Sequence, residues 1–305
     1  MKVVVSGGTG VLGRAAVRAL LDAAHEVDVL ARSEANVVEI EALGARPRRA
    51  DLFEPDSLVA VYEGADVVLN LASAVPVGYA AVWPNAWRQN DLLRTKAVAN
   101  VVTAARTAGV RRVVQESASF VYADDGDGWI TERDPLDITP ATEPVAVGGS
   151  HVQEYAGGFR AGVLLRFGSI VGDDPQTRFW MRAAATGRPV GIGRPDQWSH
   201  LLHTDDIGSA ILAALEAPSG VYNVGAAPVL RADLVEGYAK AAGAAEGSFM
   251  GPVLRRLAGA RIEPMTRSLR VSSDHFSAQS GWQPSRPAFD ASWLDAAVGA
   301  SERVR

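Results

Sequence analysis

An apolar strand signal, Lys2-Val-Val-Val-Ser6, runs directly into Gly7-Gly8-Thr9-Gly10-Val11-Leu12-Gly13, and helix-forming residues follow from Arg14 to Leu21. Gly7, Gly10 and Gly13 recur at every third position. The first permits a tight turn, the second lets backbone approach a ligand, and the third lets a helix pack closely on a strand. A helix starting there presents its unpaired N–H groups and positive dipole end to an anion. Between a strand and a helix, this spacing predicts a dinucleotide pyrophosphate site formed by Gly7, Thr9, Gly10, Val11, Leu12 and Gly13.

Strand and helix signals then alternate. Apolar runs at Glu26 to Ala31, Val67 to Ala72, Arg112 to Glu116 and Val163 to Phe167 are separated by helical stretches, two of them closed by Gly44 and Gly109. Arg46 to Ala50 adds a further strand position before Asp51-Leu52. Such alternation predicts an α/β fold, a Rossmann-type doubly wound parallel sheet with helices on both faces. From about Val171 the pattern breaks into one helix and loops rich in glycine and proline, before Gly220-Val-Tyr-Asn-Val224 reads as a last strand. The expected division is a dinucleotide-binding domain of residues 1–170 plus 203–225, and a smaller C-terminal substrate-side lobe of 171–202 plus 226–305.

Composition excludes several alternatives. The 305 residues are 48% hydrophobic and 21% charged, enough for a sizeable core. A net charge of −5 gives no basic surface for nucleic acid. With no cysteine there is no disulfide, thiolate nucleophile or cysteine metal site. No apolar stretch reaches membrane length, and the chain reads as cytoplasmic.

These landmarks together resemble the extended and atypical short-chain dehydrogenase/reductases, the nucleotide-sugar epimerase/dehydratase group in particular. Gly7 to Gly13 resembles that family's pyrophosphate loop, Asp51-Leu52 the pair bordering the adenine, and Asn70-Leu71-Ala72-Ser73 the strand end beneath the cofactor. Ser117-Ala-Ser-Phe-Val-Tyr122 resembles the active-site strand, and His203-Thr-Asp-Asp206 and Tyr222-Asn-Val-Gly225 later landmarks. The resemblance implies bound NAD(P) and a catalytic set of Ser/Thr with Tyr-x-x-x-Lys, the lysine lowering the tyrosine pKa for proton relay. Lys2, Lys96 and Lys240 are the only lysines, and none follows a tyrosine by four residues. Registering on Val121-Tyr122 puts Ala118 at the hydroxyl position, and registering on Glu154 puts Ala146 and Ser150 at the Tyr and Lys positions. Ser117, Ser119, Tyr122 and His151 are the candidate substitutes. Tyr122 faces either the cleft or the core, and His151 is either a base or a solvated surface residue. Glu116 is either a notable buried carboxylate or an ordinary salt-bridge partner.

At the end of the second strand, where an acidic residue would favour NAD, the chain has Ala31-Arg32-Ser33. Arginine pairs with a 2′-phosphate and serine adds a hydrogen bond, so NADP(H) is expected over NAD, unless Arg32 is simply solvated. The long apolar segment Ser73 to Trp87 follows a strand's C-terminal end, where loops wall the ligand crevice. Tyr79, Trp83 and Trp87, with Trp198 and His200 from a later loop, are the expected substrate-binding residues, or else pack the second lobe. The Asp124-Asp-Gly-Asp-Gly128 run lacks a calcium loop's later glutamate, and the two histidines His200 and His203 are too few for a metal centre.

The expected activity is an NADP(H)-dependent oxidoreductase acting on a small, fairly apolar metabolite without the tyrosine–lysine relay. A non-redox isomerase, dehydratase or cyclase and a catalytically silent NADP(H)-sensing protein are the alternatives. A homodimer is an expectation by analogy with related folds only.

Overall fold

The computed structural model describes residues 1–252, 256 and 259–297, so the expected end of the second lobe at residue 305 lies outside the described residues. Seven parallel strands form the main sheet: β1 (Lys2–Ser6), β2 (Glu26–Ala31), β3 (Arg46–Arg49), β4 (Val67–Asn70), β5 (Arg112–Ala118), β6 (Ala161–Phe167) and β10 (Gly220–Val224). Their spatial order is β10-β6-β5-β4-β1-β2-β3, the doubly wound Rossmann-type arrangement. The order reverses at β1, whose Val3 pairs with Val27 on one side and Val67 on the other. In open parallel sheets the crevice beyond the C-terminal strand ends at such a point receives the ligand.

β-branched alternation explains the two-sided burial. Val3 and Val5 enter the core on one face with Val27, Val29, Val67 and Leu69, and Val4 joins Val68 and Val113 on the other. Helix α1 (Val11–Asp22) packs on the first face through Gly13, Ala16, Val17 and Leu20, spaced as one helical stripe. Helix α8 (Ile207–Ala214) lies beside it through Ile207, Ala210, Ile211 and Ala214. The second face is covered by α3 (Pro55–Tyr62), α5 (Val98–Thr107) and α6 (Glu143–Tyr155).

The helix entering α5 is not regular. α4 (Arg88–Leu92) passes into a π turn, Leu93–Ala97, before α5 begins. That turn buries Leu93, Arg94 and Ala97, and α6 closes on it at Gly148, where a Cβ would run into the Arg94 carbonyl. Nothing in the sequence periodicity marked this irregularity. π turns cluster at functional sites because they re-aim a side chain without ending the helix.

Two small sheets extend the molecule beyond the main one. β7 (Ser169–Val171) pairs with β9 (Leu201–His203), and β8 (Trp198–Ser199) with β11 (Val229–Leu230). Helices α7 (Pro175–Ala185) and α9 (Arg231–Ala241) cover a separate apolar cluster that includes Val171, Met181, Leu201, Tyr238 and Trp293. A short helix, α10 (Asp274–Ser280), packs Phe276 against Tyr222 of β10.

The junction of β1 and α1 tolerates no side chain. A Cβ on Gly13 would lie against the Gly7 carbonyl and 2.5 Å from the Gly8 Cα, both backbone atoms. Gly13→Ala is therefore expected to lower stability by about 1–3 kcal/mol, the usual range for overpacking, read from the urea midpoint at constant m.

Candidate active site

Gly7 holds φ +76°, and a Cβ there would sit 2.7 Å from the Ala72 backbone, so only glycine fits the turn leaving β1. Gly10 caps α1 with its N–H bonded to the Gly7 carbonyl at 3.0 Å. Its Cα side is open apart from that oxygen, which leaves room for a ligand at the helix N-terminus. Gly8 packs on Val29 and Gly13 lies beneath, turned into the helix–strand contact. The residues meant to touch a dinucleotide thus divide, with Gly7, Thr9, Gly10, Val11 and Leu12 lining the cleft and Gly13 supporting it from below.

The cleft continues from this loop across the strand ends as one cavity of about 680 Å³. Leu52, Leu71, Ala72 and Ser73 line it, as does Arg32 just past β2. Asp51 is turned to its own loop, where its carboxylate accepts from the Phe53 N–H at 2.9 Å. Ser33 caps helix α2 (Glu34–Ala42), accepting from the Asn36 N–H, and stands apart from the lining. Asn36, unnoticed in the sequence, takes a lining position and reaches Thr9 Oγ1 at 3.4 Å.

Of the candidate substitutes, Ser117 and Ser119 both line the cleft, and Ser117 Oγ is buried without a partner. The face alternation of an extended strand, which would put Ser117 and Ser119 on one face, carries only to Ala118, because Ser119 opens a 3-10 turn. Tyr122 belongs to the core: its hydroxyl accepts from Arg166 at 2.6 Å and donates to Asn223 at 2.8 Å. Burial pushes that hydroxyl's pKa up while Arg166 opposes the rise. His151 is part-buried on α6 and, like Ala146 and Ser150, stands away from the lining. Glu116, in contrast, lines the cleft and pairs with Arg94 of the π turn at 3.1 Å.

The apolar segment after β4 folds into two 3-10 turns, Gly78–Val82 and Pro84–Trp87, clamped to α7. Gly78 N–H donates to Gln176, and the Tyr79 ring meets Phe179 and Trp180 edge-on at 5.1 and 5.9 Å. Tyr79, Trp87 and Trp198 line the cavity; Trp83 is 68% exposed and does not. Trp180, Met250 and Ile262 complete the apolar wall. Those contributors lie too far along the chain for local patterning to assign them to a wall.

His200 also lines the cavity, with both ring nitrogens buried and unpartnered. Burial alone lowers its pKa to about 3. The folded state then holds the neutral ring where an unfolded chain would already bind a proton, so this contribution is full above the usual value of 6.5 and fades as pH falls toward 3. Between those limits His200 is expected to cost about 1.4 kcal/mol per pH unit of acidification. His200→Leu should flatten that part of the curve in urea titrations at a series of pH values.

A family model described as NAD-dependent epimerase/dehydratase matches residues 3–225. The chain is 29% identical over 311 residues to a 3-diazoavenalumate denitrifying reductase from Streptomyces, covering 97% of this chain and 98% of that protein. It is also 29% identical over 240 residues to the 2′-dehydrokanamycin reductase of Streptomyces kanamyceticus, covering 70% of this chain and 58% of the other. Among solved structures, a Bacillus cereus UDP-glucuronic acid 4-epimerase in complex with a UDP-sugar analogue and NAD superposes with TM-score 0.80 at 19% identity, over 100% of both chains. With the family model spanning the whole main sheet, the chain belongs to the NAD-dependent epimerase/dehydratase family, as an enzyme of reductase or epimerase type.

Proposed function

We propose that this protein is an NADP(H)-dependent reductase of a small, fairly apolar carbonyl metabolite. One observation carries the reading: the glycine cradle and a wall of Tyr79, Trp87, Trp180, Met250 and Ile262 belong to a single cavity of about 680 Å³. The cradle fits a dinucleotide, since Gly7 and Gly13 permit the tight turn beneath it and the Gly10 Cα side is open at the N-terminus of α1. A bound nicotinamide supplies hydride at its C4 carbon.

The chain's own residues do the rest. The loop from Gly7 to Leu12 holds the pyrophosphate, Leu52 and Leu71 flank the adenosine end and strand end, and Arg32 meets the 2′-phosphate. The aromatic wall excludes water and orients the substrate by shape, which supplies the proximity that hydride transfer chiefly requires. Ser117, with an unpartnered hydroxyl, is available to the substrate or the carboxamide of the cofactor.

A second electrophile, an aryl diazonium carbon, is suggested by the 3-diazoavenalumate denitrifying reductase that aligns over 97% of this chain. There hydride would form the C–H bond as the C–N bond breaks and its electron pair leaves with dinitrogen, the diazonium charge balancing the hydride so that no proton is consumed.

Two measurements test the proposal. Arg32→Glu should weaken NADPH binding by about 10–100-fold, from loss of a charged hydrogen bond, and leave NADH binding nearly unchanged in calorimetry. Incubation of the protein with NADPH and 2-tetralone, ethyl benzoylacetate or 1-indanone should consume nicotinamide absorbance. Equal affinity for both dinucleotides in parent and variant would remove the assignment of Arg32.

A further inference from the structure

Arg94 and Glu116 are 5% and 4% exposed, and one contact joins them, Arg94 Nη2 to Glu116 Oε2 at 3.1 Å. A guanidinium and a carboxylate can meet through two parallel bonds. Here only one forms, and Arg94 Nε and Glu116 Oε1 are both buried with no hydrogen-bond partner. Both residues line the cleft. Burying a charged pair is costly unless the remaining donors and acceptors are satisfied. An incompletely bonded pair at the wall of the main cavity therefore awaits a ligand atom that both accepts and donates.

Position supports the same conclusion. Glu116 and Ala118 lie two residues apart on β5, and Ala118 keeps extended backbone at φ −138°, ψ 139°, so their side chains share a face. Ala118 brings no polar atom to that face, whereas Glu116 brings a carboxyl from one pleat back. The π turn carrying Arg94 is backed by α6 at Gly148, and Arg94 reaches Glu116 from it.

We propose that Glu116 is the proton donor of the reduction and that Arg94 holds the reacting oxygen beside it. The inference rests on the carbonyl-reduction reading. As the carbonyl carbon gains hydride from a reduced nicotinamide, the C–O π electrons form an O–H bond with the proton of Glu116 Oε1. The carbonyl is reduced to an alcohol, the nicotinamide is oxidised, and Glu116 is left a carboxylate paired with Arg94. Solvent entering the cleft returns the proton.

Opposed forces suit the carboxyl to this task. Burial raises the pKa of Glu116 and favours keeping the proton, while the Arg94 charge lowers it and favours release. Other neighbours contribute no net charge at this level. Asn70 of β4 and Gln115 of β5 are neutral amides bonded to each other, and Leu165 of β6 stands opposite Glu116. Arg166, one residue further on, is bonded to Tyr122. The remaining ionisable groups of the lining are Asp174, capping α7, with His200, Arg32, Arg231, Arg267 and the tyrosines Tyr79 and Tyr238.

The test compares the parent with Glu116→Gln, Arg94→Met and the double variant, using NADPH with 2-tetralone, ethyl benzoylacetate and 1-indanone. E116Q should lower kcat by at least about 100-fold, the range for losing a general acid, with NADPH affinity unchanged. In the parent the rate should fall as pH rises through the Glu116 pKa. R94M, which removes the charge that lowers that pKa, should move the falling limb to higher pH. If E116Q melts early, the R94M/E116Q protein, with neither buried charge left, carries the same kcat expectation. Independently of turnover, infrared difference spectra near neutral pH should show a protonated-carboxyl band in the parent that E116Q removes. Undiminished turnover in E116Q, or no such band, overturns the inference alone. Absence of turnover by the parent overturns the carbonyl reading and the inference with it.

Discussion

The close approach of α1 to β1 is the contact on which the rest of the molecule depends. Gly13 lets the helix start directly against the backbone of Gly7 and Gly8, and Gly8 in turn packs on Val29 of β2. Three elements are thereby fixed with respect to one another, α1 on β1 through backbone and β2 through the stiff, β-branched Val29 side chain. The helix N-terminus, carrying about half a positive charge, points over the strand ends. Because β2 is fixed by the same contact, Arg32 emerges at a set distance from that N-terminus. In the proposed NADP(H) complex, one packing constraint would gauge the distance between the two anionic positions of the dinucleotide.

Two buried carboxylates outside the cleft are well matched. Asp28 is fully buried in β2, yet Arg46, Arg48 and Lys2 lie 2.7, 3.3 and 4.0 Å away. Asp206 accepts from the Ser285 and Arg286 N–H groups. Along the cleft Ser6, Arg94, Glu116, Ser117 and His200 each keep a buried polar atom without a partner, as Tyr62, Arg166 and Trp293 do elsewhere. Each such atom carries a desolvation cost. At the cleft a bound ligand has the position to relieve it.

Local patterning was enough for the parallel sheet, because fully buried strands read as short β-branched runs and the glycine spacing tied the first one to a helix. The strand-end residues Leu71, Ala72 and Ser73, singled out by the family resemblance, line the cleft. What local patterning could not convey was side-chain direction at the ends of elements. Ser33 and Asp51 stand at the anticipated positions but cap their own turns, since short polar side chains next to free backbone N–H groups bond locally first. Tyr122 follows a 3-10 turn that rotates it off the strand's alternation and into the core. The π turn at Leu93–Ala97 leaves the apolar periodicity nearly intact, so nothing in the sequence disclosed that Arg94 would face inward.

The same superposition that aligns this fold with a UDP-sugar epimerase raises the question of what fills the far end of the cavity. A second diphosphate would need uncommitted cations there. The arginines lining that end are already engaged. Arg231 donates to Gln197 at 2.6 Å and to the Arg267 carbonyl at 2.7 Å, and burial lowers its pKa to about 10. Arg267 pairs with Glu263 and Asp137 and donates to the Tyr122 carbonyl. Each guanidinium is therefore a strut between segments, and moving either toward a phosphate would break two or more of those bonds. Beside them stand Trp180, Met250 and Ile262, which gain nothing from a nucleotide's charge. The physical balance of that end of the cleft favours a ligand held by apolar area and one polar handle.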